Sequence, residues 1–490
     1  IIGTKDVTLT VTCEARFDVA DTDVMFVLDT TGSMAQKPDG TGGGSVQTYT
    51  RPDGTVGYYV QEASGSKISG LRTAVLNFYD TVAANADPTT HIRYGFVTYT
   101  STVNSGYAVT ALSPSYIVDN WTYNSRKVIG DTNNGSATTT TQTGVGQTPC
   151  NNMAGRTPAS GYTTNATASV ITTTWSTGSG GKCVITTQPV KPLWRYAAWP
   201  FDTSQYKLGN TVIDLSKVTG ATSKWQGCLE ERDTTASSSF DINNLPPDLD
   251  PDLTPTNDST RWRPMWSDVV YYRGNNTYVD YAGNSSNPYG DSTSTSQGGQ
   301  YTAMALYNNI ASGFVSCGKP VQRLAVLSRT DVSNFVNAPD FEPQGGTYHD
   351  TGMIWGTRMI SPNGVFKDDT AAWPGRNPPN RYIVFMTDGD MAPNTSIYGM
   401  YGIERYDLRV TGSSGTGNDL NYHNARFVAE CNAAKARNIK VFVIGFGQTL
   451  TTQLTQCASP GQAYYASDNA SLNAAFQNIA KQVAMLRISQ

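Results

Sequence analysis

Residues 24–33 read VMFVLDTTGS, and this stretch decides the fold. Five apolar residues in a row, ended by Asp29, are the pattern of a strand buried on both faces. Strands of that kind belong to parallel sheets covered by helices. Two further runs match it far downstream, YIVFM at 382–386 and KVFVIGF at 440–446. IRYGFVTY at 92–99 reads as another strand, and DVTLTVTCEARF at 6–17 alternates as a half-buried one. Between the strands lie helical periods: Ile68, Leu71, Val75, Phe78 and Val82; a segment at about 421–437; and Leu472, Phe476, Ile479, Val483 and Leu486. Strands alternating with helices predict an α/β fold with a doubly wound, mostly parallel sheet.

The pieces are far apart. Residues 101–320 lack helical periodicity and are rich in turn formers, so they are expected to be a large β- and loop-rich insertion lobe, folded on its own. The chain then divides into an N-terminal strand segment (1–20), a first α/β part (21–100), the lobe (101–320) and a second α/β part (321–490). Gly-rich insertions at 36–62 and 390–420 follow strand ends. An antiparallel edge strand at 322–328, paired with 92–99, would bring the lobe out at the carboxyl end of the sheet. An edge strand at 107–112 would send it to the opposite end.

Composition narrows the class. Charged residues make up 15% of the 490, with 35 Lys and Arg against 39 Asp and Glu, a net charge of −4. Nucleic-acid binding is disfavoured, since it needs a basic excess. No apolar run is long enough to span a bilayer. The three histidines, His91, His349 and His423, form no HExxH pair, and structural roles are expected for His349 and His423. GSGGKC at 178–183 is not a P-loop, because no Ser or Thr follows the Lys. With no GxSxG elbow either, an enzyme is not expected. The low charge and many hydroxyl and aromatic residues suit an extracellular binding protein. There the seven cysteines would mostly be disulfides, expected as Cys431–Cys457, Cys228–Cys317 and Cys150–Cys183 with Cys13 left over. In a reducing compartment all seven would be buried thiols.

Candidate site residues follow from the strand ends. Asp29, Thr31 and Ser33 form D-x-T-x-S on the loop after the first strand, a hard-oxygen set suited to Mg²⁺, Ca²⁺ or Mn²⁺. YIVFM ends in TDG, with Asp388 at the same relative place, and GGT at 345–347 offers the Thr347 hydroxyl before a helical segment. Ligands of open α/β sheets bind beyond the carboxyl ends of the strands, where strand order reverses. A possible second site is DLDPDLTPTND at 248–258, with Asp248, Asp250 and Asp252 at alternate positions. It reads as a Ca²⁺ loop or as an extended acidic linker, and Pro247, Pro251 and Pro255 favour the linker. Trp262, Trp266, Tyr271 and Tyr272 read as a surface for glycans or partners, or, preferably, as lobe core.

VMFVLDTTGSM, GGTYHDTGMIWG and YIVFMTDGD, in that order, resemble a von Willebrand factor A (vWA) domain. The resemblance implies a metal-ion-dependent adhesion site (MIDAS) at Asp29, Thr31, Ser33, Thr347 and Asp388, with one coordination position open to an acidic group of a partner. WGTRMISPNG at 355–364, WQGCLEER at 225–232, CAS at 457–459 and LRIS at 486–489 further resemble the TadG-like A-domain proteins of bacterial tight-adherence (Tad) pilus systems. That implies an exported, cell-surface adhesion protein with a surface ligand and other pilus subunits as partners, or a factor that caps or initiates the pilus. The family's hydrophobic N-terminal helix would lie upstream of Ile1, and membrane contact is expected only through it. The insertions are expected to form a crown around or over the metal, either as a specific binding surface or as a block on the site.

Overall fold

The computed structural model describes residues 21–52, 54–163, 166–271, 292–294, 315–412 and 415–485. The strand expected at 6–17, Cys13, Tyr272 and the LRIS stretch lie outside them. Strand β1 (Thr22–Asp29) is buried along its whole length. Its side chains alternate between two cores, as a period of two requires. Val24, Phe26 and Leu28 pack with Ile68, Leu71, Phe78, Leu472 and Phe476. Met25 and Val27 pack on the other face with Met353, Ile354, Trp355 and Phe427. Phe26 stacks on Phe96 at 5.1 Å and meets Phe78 edge-on at 5.0 Å. Each such side chain contributes roughly 1.5–3 kcal/mol on burial, so both layers are needed to hold the strand.

The sheet has six strands. With β2 (Ile92–Tyr99), β3 (Gln322–Ala325), β4 (Asn380–Thr387), β5 (Ile439–Phe446) and β6 (Ala463–Ala466), the order is β3-β2-β1-β4-β5-β6. All neighbours are parallel except β3, which runs antiparallel to β2. The edge strand therefore lies where the first of the two sequence alternatives put it, and residues 106–112 are a short helix instead. The chain leaves β1 toward β2 and later crosses back to β4, so strand order reverses between β1 and β4. Helices α1 (Lys67–Asn85), α2 (Arg329–Val336) and, at the end of the chain, α6 (Asn469–Met485) cover one face. Helices α3 (His349–Ile360), α4 (Asp419–Ala436) and α5 (Thr452–Cys457) cover the other.

The lobe leaves β2 at Tyr99, at the carboxyl end of the sheet. A 21-residue strand, Lys182–Asp202, pairs antiparallel with Asn120–Asn133, Thr138–Thr143 and Ala168–Ser176. At about 3.3 Å per residue it runs about 70 Å. Its distal end carries the exposed threonines of 138–143 and is closed by Cys150–Cys183. Its base is not a separate core: Tyr123, Phe201, Trp225, Trp262 and Trp266 belong to the same cluster as α3 and α4, and Trp262 meets Trp355 at 5.2 Å. Within the lobe Trp266 also stacks on Tyr206 at 3.9 Å, so the lobe's aromatics and the helices α3 and α4 share one core. Trp262, Trp266 and Tyr271 are buried, as the core reading expected. Cys228–Cys317 ties the lobe to the chain returning to the sheet, and Cys431–Cys457 joins α4 to α5. All three described disulfides follow the expected pairing.

The acidic run at 248–252 docks on arginines. Asp248 pairs with Arg426 at 2.7 Å, Asp250 and Asp252 pair with Arg437 at 3.3 and 2.9 Å, and Asp252 also accepts from Ser361. Arg358 of α3 binds Glu231 at 2.6 Å and the Asp248 carbonyl. These pairs fasten the lobe base across α3 and α4. His423 is held between Asp350 at 2.8 Å and Asp419 at 3.3 Å, a structural role. Burial opposes its charge, but the two carboxylates outweigh burial and push it up to about 10.

Candidate metal centre

Three loops meet where the strand order reverses. The loop after β1 bonds to the 344–347 loop through Gln344 N–H to the Thr30 carbonyl, 2.9 Å, and Gly32 N–H to the Gly345 carbonyl, 3.0 Å. The 344–347 loop reaches the loop after β4 through Ala392 N–H to the Thr347 carbonyl, 3.0 Å. Gly345 sits at φ +84°, a left-handed conformation that suits glycine, and an added Cβ would stand 2.8 Å from the Ser316 hydroxyl.

These loops bring the five expected residues together. Thr31 Oγ1 and Ser33 Oγ are 3.1 Å apart. Ser33 donates to Asp388 Oδ1 at 2.8 Å. A Cβ added at Gly389 would stand 3.5 Å from Thr347 Oγ1, so that hydroxyl lies beside the residue following Asp388. Asp29 is fully buried; its Oδ1 accepts from Thr31 N–H and its Oδ2 from Thr387 Oγ1, both at 2.8 Å. The site lies just under the surface, with Ser33 half-buried and Thr347 and Asp388 nearly buried.

The donor set fits a hard divalent cation. Two carboxylates and the Thr31 and Ser33 hydroxyls converge, with the Thr347 hydroxyl beside Gly389, and oxygen is what such ions take. The electrostatics agree. Burial, and then the charge of Asp388, push Asp29 up to about 7. Among the described residues no cation pairs with Asp29, so its ionised form is uncompensated in the protein alone. Nor do three or more His, Cys, Asp or Glu side chains group as a metal cage among the described residues. Any metal there would thus rest on hydroxyls as well as carboxylates. Asp248, Asp250 and Asp252 present no comparable set, since each is engaged by an arginine.

Sequence reading missed the residues that hold the carboxylates. His349 Nε2 lies 3.0 Å from both Thr387 Oγ1 and the Gly389 carbonyl. A carbonyl only accepts, so Nε2 carries the proton. Burial outweighs the Gly389 bond and lowers His349 to about 4, leaving it neutral at pH 7. It aims Thr387, which in turn donates to Asp29. Tyr99 O–H lies 3.4 Å from Asp29 Oδ2. Lys67 Nζ lies 2.9 Å from Asp388 Oδ2, with both side chains buried. The one available signal was a Lys at the head of the apolar period starting at Ile68.

The described parts of the insertions make contacts at this end of the sheet. The hairpin Val46–Thr50 and Val56–Val60 bonds to the residue preceding the 344–347 loop, through Val60 N–H to the Pro343 carbonyl, 2.8 Å. The pair Tyr398–Gly399 and Gly402–Ile403 packs under the lobe, where Tyr398 O–H donates to Glu230 at 2.7 Å.

No family model and no curated protein matches the chain. Solved structures to which it is similar include pilus proteins and proximal thread matrix protein 1 from the mussel byssus. One is the pilus adhesin SpaC from Lactobacillus rhamnosus GG, at 10% identity and a TM-score of 0.33, over 96% of this chain and 31% of the adhesin. Another is the PilB minor pilin from Streptococcus sanguinis, at 12% identity and a TM-score of 0.32, over 97% of this chain and 64% of the pilin. The chain thus spans about a third of the one and just under two thirds of the other. No helix among the described residues is long and apolar enough to cross a membrane.

Proposed function

We propose that the chain is an exported vWA-type binding protein of a Tad-type pilus, and that it engages a surface or partner through a divalent cation. The observation that carries this reading is the meeting of Asp29 and Asp388, with the Thr31 and Ser33 hydroxyls between them, where strand order reverses. Asp29, Thr31, Ser33, Thr347 and Asp388 would hold Mg²⁺, Ca²⁺ or Mn²⁺. The bound ion supplies Lewis acidity and a coordination position for a carboxylate of the partner. The chain's own part is to fix that position. Thr387 and the Thr31 N–H orient Asp29, neutral His349 orients Thr387, and the three loops lock one another through backbone bonds. The lobe, which leaves from the same end of the sheet, supplies further contact area and specificity. The pilus assignment rests on the sequence stretches DTTGSM, WGTRMISPNG and WQGCLEER, not on overall structural likeness. In this reading the role is binding rather than catalysis, with the five oxygen donors serving as a cation seat.

The test is adhesion of the purified chain to carboxylate-bearing surfaces and to whole cells, in Mg²⁺ and in EDTA, alongside Asp29→Ala. Adhesion lost in both EDTA and the variant supports the reading. Adhesion that survives both moves binding to the lobe. No adhesion, with filaments abolished on deletion, favours a factor that caps or initiates the pilus.

A further inference from the structure

The ammonium of Lys67 occupies one oxygen, Oδ2, of Asp388, although a metal site such as the one proposed is expected to reserve its carboxylates for the cation. Lys67 is the first residue of α1, set by the Ser66 cap, whose side chain accepts from Ser69 N–H. Its Nζ lies 2.9 Å from Asp388 Oδ2, while Oδ1 of the same carboxylate accepts from Ser33. Asp388 is thus shared between the hydroxyl cluster and a resident positive charge. The lysine is not a surface side chain folded inward by chance, for it is 7% exposed. Its backbone N–H is fixed to the Gln36 carbonyl at 2.8 Å. Gly447, at φ +73°, backs the stem: a Cβ there would stand 3.6 Å from Lys67 Cε and 3.1 Å from the Pro38 carbonyl.

Resting on the metal-site reading, we propose that Lys67 is the centre's built-in counter-cation. It neutralises Asp388 while the site is empty and opposes the incoming divalent ion, so it sets a weaker metal affinity than the oxygen ligands alone would give. The physical basis is a buried unit charge within a few ångströms of the cation seat, where like charges repel far more strongly than in water. A lysine serving only as a packing and ion-pair residue would leave metal affinity unchanged on neutral replacement.

Lys67→Met keeps the stem and removes the charge. Lys67→Gln removes the charge but retains a donor for Asp388, so one variant keeps a bond to the carboxylate if the other folds poorly. Mn²⁺ binding is measured by titration calorimetry at pH 7.5, and thermal midpoints are measured in EDTA and in excess Mg²⁺. The expected result is a Mn²⁺ Kd at least about tenfold lower in both variants, with an EDTA midpoint below wild type that Mg²⁺ restores. Equal Mn²⁺ affinity in wild type and variants overturns the proposal while leaving the metal site standing, and weaker binding in the variants overturns it too. Absence of Mn²⁺ binding in every chain overturns both this proposal and the metal-site reading.

Discussion

Glu231→Gln tests how the lobe is fastened to the sheet. Glu231 is fully buried, and its carboxylate accepts from Arg358 Nη1 at 2.6 Å, from Arg232 Nε at 3.2 Å and from Arg232 N–H at 3.0 Å. Burial alone would raise its pKa, but the charges of Arg358 and Arg232 outweigh burial and hold it at about 2, below the ordinary 4.5. A depressed carboxylate contributes stability that is present above the unfolded pKa and lost as pH falls toward the folded one. The gap between the two is worth about 3 kcal/mol at pH 7. Seen from Arg358, the same loss leaves a buried guanidinium without its partner, a change that typically costs about 3–5 kcal/mol. Urea unfolding at pH 7 should therefore show the variant about 3 kcal/mol less stable than wild type. At pH 3, where the wild-type carboxylate has begun to lose this advantage, the difference should shrink to less than about half. A difference below about 1 kcal/mol at pH 7, or one unchanged at pH 3, would refute the view that this ion pair holds the lobe base on α3.

Replacing Cys228 and Cys317 together by Ala opens a cross-link spanning 89 residues, which the chain-entropy view values at about 4–5 kcal/mol; a calorimetric midpoint within a degree or two of wild type would contradict it. Gly352→Ala, a change that in an exposed helix gains up to about 1 kcal/mol, should instead cost about 1–3 kcal/mol, because the new Cβ would stand 2.5 Å from the buried Tyr99 ring. With Asp29 raised to about 7, the metal-free fold binds a proton that the unfolded chain releases. Its stability should therefore rise as pH falls from about 7 toward 4, whereas Mg²⁺ affinity should fall by about tenfold per pH unit over the same window. A Mg²⁺ affinity flat between pH 8 and pH 5.5 would count against Asp29 as a ligand.

The parts of the fold that were legible in sequence are those where one physical requirement dominates locally. A strand covered on both faces must be apolar throughout, so VMFVL, YIVFM and KVFVIGF declare themselves. Covering helices must repeat at three and four, so α1 and α6 do too. Asp29, Thr31, Ser33, Thr347 and Asp388 stood out because each lies at or just beyond a strand end or before a helix. What remained hidden depends on distant partners. The carboxylates of 248–252 look free until Arg426 and Arg437 fold against them. Nothing near Lys67 indicates that its ammonium meets a residue 321 positions away. The long strand Lys182–Asp202 was masked by Pro189, Pro192 and Pro200, which ordinarily argue against a strand. In the structure the three prolines pair in regular register, Pro189 with Ser169, Pro192 with Asp131 and Pro200 with Thr122. The lobe's aromatics could be placed in a core, but not in the core of the sheet, because their partners on α3 and α4 lie beyond residue 340.

On the proposed reading, the three loops seat a divalent cation. The most direct measurement is titration calorimetry of the wild-type chain and of Asp29→Asn with Mn²⁺ at pH 7.5, after dialysis against chelator. One Mn²⁺ bound per wild-type chain, with binding abolished or weakened at least about a hundredfold in a folded Asp29→Asn, is the predicted outcome. Wild-type chain that takes up no Mn²⁺, or Asp29→Asn that binds it equally well, would contradict it.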